Sequence, residues 1–274
     1  MSVAVPIDSW QAELRLRFAE REGRTYLVER SHRGPLVVQK SFHPEGDVCH
    51  TCIVHPPGGV VGGDSLTLEV VADPNARVLL TTPAATKFYR SEERLAMQTQ
   101  RLTAADAFLE WLPQETIYYR HAKVINDIHV RLSLKSCFIG WEVACLGLPA
   151  RKEAFDAGHL ALNWELTVDD RPRIVDRLRI DGSSDARQSR WGLQGFEALG
   201  TMFVFPAERA WLDEIRGIRA DECEFAATFV DGVLVVRCLA AQGEAVKRTF
   251  VRIWQWVRPR LMQRDAVSPR IWAT

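Results

Sequence analysis

Apolar and polar residues alternate with a period of two along most of this chain. Near the start, Ala12, Leu14, Leu16 and Phe18 fall on one side, with Glu13, Arg15 and Arg17 on the other. Successive side chains of an extended strand point to opposite faces, so this pattern predicts a strand with one buried face. Glu22-Gly23 turns it, and residues 25–30 return as a hairpin partner. Gly34-Pro35 and His43-Pro44-Glu45-Gly46 are further turns. The same device predicts strands at Ser65–Ala72 and 77–82, joined by Asp73-Pro74-Asn75, and at 95–102 and Phe108–Trp111, joined by 103–106. Residues 127–135 direct Ile128, Val130, Leu132 and Leu134 inward, and 160–168 pairs with 173–180 around Asp169-Asp170-Arg171-Pro172.

The last quarter changes character. A polar, glycine-containing loop at 183–195 precedes a helical pattern over 207–219. Residues 225–230 and 233–239 flank Asp231-Gly232, a strong two-residue hairpin signal. Residues 244–258 place Val246, Phe250, Ile253 and Val257 on one helical face and should stop at Pro259. Short strands without intervening helical patterns predict a mainly β body of antiparallel strands, one continuous domain over 1–274, with about two α-helices toward the C-terminus.

Bulk chemistry narrows the function. The formal net charge is 0 and the pI about 7.1, which argues against a dedicated nucleic-acid binder. The six cysteines (49, 52, 137, 145, 223 and 238) are scattered among apolar residues, and Met1–Asp8 lacks the basic start and apolar run of a secretory signal. They are therefore expected to be reduced thiols in the cytoplasm. The longest apolar stretch, 137–150, is interrupted by Glu142 and is too short to span a bilayer, so no membrane association is expected.

The densest local signal is the loop from His55 to Asp64, with Pro56, Pro57, Gly58, Gly59, Gly62 and Gly63, followed by Lys87, Tyr89 and Arg90. The loop lacks the Gly-Lys-Ser/Thr ending of a phosphate cradle and is followed by a strand, not a helix N-terminus. Cys49 and Cys52 would point to opposite faces of a strand, and no second ligand pair completes a zinc site. No Gly-x-Ser-x-Gly nucleophile elbow occurs. What stands out is carboxylates in apolar company: Asp64, Glu110, Glu115 and Glu142. An ionised carboxylate there needs a cation, a donor or water, and several such sites suggest a polar passage through an apolar body.

The segments HPPGGVVGGD (55–64), TTPAATKFYRS (81–91), FLEWLPQETIYY (108–119), GWEVACLG (140–147) and SPRIWAT (268–274) together resemble the urease accessory protein UreD family, also called UreH. The resemblance implies an elongated, β-helix-like winding of strands with two helices. It implies a non-enzymatic scaffold in urease maturation, bridging apo-urease to a UreF-like protein and, through it, to a UreG-like GTPase. Nickel would pass transiently through a water-filled tunnel, with no cofactor tightly bound. Oxygen ligands release such an ion more readily than imidazole or thiolate. Asp64, Thr81, Thr82 and Glu142, at motif positions, are the expected path. Trp254, Trp256, Pro269, Arg270, Ile271 and Trp272 are the expected partner surface, because tryptophan is enriched at interface hot spots and a chain end needs docking to be ordered. One departure is Leu146-Gly147-Leu148, where the family often has Leu-Gly-Arg. Two other readings stay open: a small-molecule enzyme walled by the His55–Asp64 loop, and an interaction module without a metal path.

Overall fold

The structure is a computed structural model that describes residues 9–273; the segment 1–8, read above for a targeting signal, and Thr274 of the terminal motif lie outside them. The chain opens with β1 (Gln11–Arg21), β2 (Arg24–Arg33), β3 (Val37–Val38) and β4 (Cys49–Val54). It continues with β5 (Ser65–Ala72), β6 (Arg77–Thr81), β7 (Thr86–Phe88), β8 (Ala96–Ala104), β9 (Phe108–Trp111) and β10 (Thr116–Tyr118). Then come β11 (Lys123–Leu132), β12 (Cys137–Leu148), β13 (Glu153–Ala154), β14 (His159–Val168) and β15 (Arg171–Asp181). The last part holds β16 (Ala198–Phe205), α1 (Trp211–Arg216), β17 (Cys223–Val230), β18 (Val233–Ala240) and α2 (Gly243–Met262).

Mainly β with few helices is what the sequence predicts, but the sheets are mixed, not antiparallel throughout. One sheet has the order β15-β14-β11-β8-β5-β1-β2, and its run β1-β5-β8-β11-β14 is parallel. The second has the order β17-β18-β16-β12-β9-β6-β4-β3, with β4-β6-β9-β12 parallel. The short strands β7 and β10 add a third parallel ladder onto β12. The chain therefore winds: it leaves one sheet at each turn, crosses to the other, and returns one coil further on.

Two turns expected to join antiparallel strands are corners of that winding. Asn75 and Asp106 adopt left-handed φ values of 66° and 53° and stack, the Asn75 amide donating to the Asp106 carbonyl at 2.9 Å. The Asp106 amide in turn donates to Ser133 Oγ at 2.8 Å. Leu134, expected inside, lies past the end of β11 and is 61% exposed. The β1–β2, β14–β15 and β17–β18 pairs are antiparallel hairpins as expected.

The inward rows of the two sheets share one core, containing Leu14, Leu68, Val130, Phe138 and Leu166. A second core lies between the other face of the β12 sheet and α2, around Trp141, Met202, Phe250 and Trp254. Because β12 has a core on each face, its apolar run is continuous, and β16 reads the same way for the same reason. Helix α1 is shorter than the pattern suggested. Helix α2 runs a turn past Pro259, because Arg258 and Met262 are both buried and anchor it on either side. Gln263, at φ 54°, closes it with an amide bond to the Pro259 carbonyl at 2.8 Å. Among the described residues no helix is long and apolar enough to cross a membrane.

Candidate functional site

Inward positions of the β8 and β11 strands carry polar side chains where their neighbours carry Leu, Val and Ile. Gln98 and Gln100 point inward from β8, and Asn126, in register with Gln98, points inward from β11. Across the sheet gap Glu142 projects from β12 on the same face as Phe138 and Ala144. These four line a cavity of about 110 Å³ between the sheets, whose wall also includes Thr82, Thr116, Lys87 and the loop residues His55, Pro57, Gly58 and Gly59. Such a volume holds several waters.

The polar groups form a chain. Gln100 Nε2 donates to Asn126 Oδ1 at 3.0 Å, and Asn126 Nδ2 donates to Glu142 Oε1. Trp164 Nε1 donates to the other oxygen, Glu142 Oε2, at 3.2 Å. The donors that meet this buried carboxylate are neutral. Burial, with a smaller contribution from Asp176, raises its pKa to about 7, against the pull of the Trp164 and Asn126 hydrogen bonds. The amide oxygens Gln98 Oε1 and Gln100 Oε1 are buried with no donor among the described residues, and such groups usually meet water or an ion. Glu142 also lines a second, smaller cavity of about 20 Å³, together with Asp176 and Thr201, on the side toward β14–β16. Glu142 thus lines both spaces.

The glycine loop is shaped by close approach. Gly59 packs so tightly against Tyr89 that an added Cβ would stand 2.5 Å from the ring, and Tyr89 Oη donates to the Gly58 carbonyl at 3.1 Å. Gly63, at φ 98°, lies against the Arg94 guanidinium. Asp64 fastens this loop: its two oxygens accept from the Trp10 amide at 2.9 Å and the Val61 amide at 3.1 Å. It is not part of the cavity wall. Burial lowers the pKa of His55, and Asp64 opposes that shift.

The expected path is therefore divided. Thr82 and Glu142 come together on the cavity wall, whereas Asp64 is used up in the loop and Thr81 faces the opposite side of its sheet. Thr81 Oγ1 accepts from Trp272 Nε1 at 2.9 Å and donates to the Leu112 carbonyl at 2.7 Å. Arg90 and Pro56 are exposed, and Glu115 sits beside Lys247, whose charge it supports against burial. Gln98, Gln100 and Asn126 were not anticipated. Their signal was present: each is a polar residue in the inward phase of an alternating strand.

The expected partner surface also divides. Trp254 is wholly buried and donates to Glu110 Oε1 at 2.6 Å, so it offers nothing to a partner. Trp256 is half-buried, its ring edge-on to Trp211 and covered by the Arg260 guanidinium at 3.5 Å. The chain end docks on its own body. Pro269 is buried, and the Trp272 ring packs between Trp141 and Trp254 at 6.0 and 5.8 Å, with Lys247 over its face. Arg270 is exposed. Among the described residues no group of three or more His, Cys, Asp or Glu side chains is arranged to hold a metal.

The chain is a wound β body closed by a helix, with a cavity between its sheets lined by both polar and apolar side chains. The sequence profile of the UreD urease accessory protein family matches residues 11–273. The urease accessory protein UreD of Escherichia coli is 41% identical over 97% of both chains, and that of Vibrio parahaemolyticus 40% identical over 97% of this chain and 96% of its own. The UreD of Klebsiella aerogenes is 39% identical over 97% of each. The chain belongs to the UreD urease accessory protein family.

Proposed function

We propose that this chain is a non-enzymatic urease maturation scaffold that passes nickel through its interior into apo-urease. It would bridge the enzyme to a UreF-like protein and a UreG-like GTPase. The observation that carries this reading is Glu142: a buried carboxylate met by neutral donors and lining two neighbouring cavities. A divalent cation there would supply the charge the protein leaves out, and would do so among oxygen ligands that exchange readily. The route we infer enters at His55–Gly59 and Lys87, follows Gln98, Gln100 and Asn126 to Glu142, and leaves by Asp176 and Thr201. Thr82 stays on this route; Asp64 and Thr81 do not. Partner contacts would fall to Trp256 and Arg270, since Trp254 and Trp272 are engaged within the chain.

The test is co-expression of Glu142→Ala with apo-urease and its accessory partners. The expected result is a complex that still co-purifies and a urease depleted of nickel. Full nickel loading through an assembled Glu142→Ala complex would remove the route.

A further inference from the structure

The two sheets do not end together on the side of β15. This strand is the last of the first sheet and pairs with β14 alone. Across the gap lie β16 and β18 of the second sheet: Trp164 of β14 packs on Phe203 of β16 at 5.0 Å, and Asp176 of β15 meets Arg237 of β18 at 2.9 Å. The second sheet then continues by one more strand, β17. In the β17–β18 register Ala226 stands opposite Arg237, Thr228 opposite Val235 and Val230 opposite Val233. Val233 and Val235 belong to the core between the sheets, so Ala226, Thr228 and Val230 face the same side. No strand of the first sheet covers them: all three are exposed, Val230 at 45%.

The edge of β15 that overlooks this bare face is basic. Arg173, Val175, Arg177 and Arg179 alternate with Ile174, Asp176, Leu178 and Ile180, and Arg171 precedes them. Both acids of the strand are engaged, Asp176 with Arg237 and Asp181 with His159 at 3.1 Å. Arg177 is exposed and has no carboxylate partner among the described residues, and Val175 is 55% exposed between the arginines. Ile174 pairs with Leu166 and Pro172 with Thr167, which leaves Arg173 as a bulge. Its side chain crosses to Asp231 in the β17–β18 turn at 2.6 Å, and its Nε is buried without an acceptor.

We propose that the step between β15 and β17 receives one extended segment of a partner protein, added as an eighth strand on the edge of β15, whose residues alternate between apolar and acidic. The unpaired amides and carbonyls of an edge strand are a template for such addition. Neighbouring strands lie about 4.8 Å apart and packed sheets about 10 Å apart, so a strand added to β15 lies over β17. Its apolar residues cover Ala226, Thr228 and Val230, while its carboxylates stand beside Arg177 and Arg179. An oxygen near its end supplies the acceptor that Arg173 Nε lacks. Edge arginines alone would only deter pairing; the uncovered face beside them calls for a strand of opposite charge. A second copy of this chain fits poorly, because two β15 edges would set arginine against arginine.

The test mixes the purified full chain with an acetylated octapeptide of alternating valine and glutamate and follows amide hydrogen exchange by mass spectrometry. The control peptide has the same composition with its valines and glutamates in two blocks. The expected result is slowed exchange over residues 173–181 with the alternating peptide and none with the block peptide. Arg177→Glu should weaken binding about fivefold, as should added salt. Thr228→Glu, on the bare face of β17, should weaken it by a similar factor. Both positions are exposed, so both variants are expected to fold, with circular dichroism as the check. Unchanged exchange over 173–181 at millimolar peptide, equal binding of the block peptide, or an affinity that neither substitution alters would overturn the proposal. Self-association of the chain that protects 173–181 without peptide would overturn it too, in favour of a second copy.

Discussion

Two buried glutamates on neighbouring strands of one sheet have opposite fates. Glu110 projects from β9 toward α2 and meets a guanidinium: Arg258 Nε lies 3.0 and 3.1 Å from its two oxygens, and Trp254 Nε1 adds a third bond. Arg258 also grips Glu45, with Nη1 at 2.7 Å and Nη2 at 2.9 Å, and Glu45 in turn accepts from His50 at 2.6 Å. Burial opposes the Arg258 charge, yet Glu110 and Glu45 lift its pKa above the ordinary value. Glu142 projects from β12 in the other direction and meets two neutral donors. The first carboxylate is part of a closed ionic clamp that fixes α2 to the winding. The second has no cationic side chain bonded to it. Burial of a charge is common to both; what distinguishes a structural site from a candidate transit site is whether the countercharge is built in.

The largest effect should come from opening the clamp. Arg258→Met leaves Glu110 and Glu45 buried without their cation, and denaturant unfolding should show a loss of about 3–5 kcal/mol. At Glu142 the dependence is on pH. Its folded-state pKa, about 7, is raised above the ordinary 4.5, so the folded chain holds that proton the more tightly. Its contribution is fully present below about pH 4.5 and is withdrawn as pH rises to about 7, by up to about 3 kcal/mol. Glu142→Gln should flatten that part of the stability–pH curve. Trp272→Ala should cost about 2 kcal/mol by uncovering Trp141 and Trp254, with Thr81→Val costing about 1 kcal/mol through the lost donor bond. The loop is sensitive too: Gly59→Ala must displace both the Tyr89 ring and the Lys87 carbonyl, and should lower the midpoint of thermal unfolding as well as alter nickel loading.

Periodicity was enough to locate most strands, because alternation reports one buried face whatever the partner. It could not report the partner. A turn such as Asp73-Pro74-Asn75 serves equally as a hairpin or as a corner between sheets, and only the coil-to-coil register, Ser65 against Met97 and Met97 against Ile125, separates the two. The resemblance supplied the winding that the pattern lacked. Strand β16, with Ala198, Leu199, Met202, Phe203 and Val204 buried across both faces, carried no alternation to read. Glu142 stood out as a charge inside an apolar run. Gln98, Gln100 and Asn126 were legible only once the inward phase of their strands was known. Asp64 misled because a carboxylate after a glycine loop has the same sequence appearance whether it faces a cavity or fastens backbone amides.

The most direct measurement is the nickel content of urease matured in the presence of the double variant Gln100→Leu/Asn126→Leu. Leucine keeps roughly the shape of the two amides but removes the polar lining that leads to Glu142, leaving the Arg258 clamp untouched. With the accessory complex still co-purifying, the account predicts nickel per active site reduced by about tenfold, since each lost polar contact costs about 1 kcal/mol or more in a dry interior. Nickel loading equal to that with the unsubstituted chain, through a cavity lined by leucine, would contradict it.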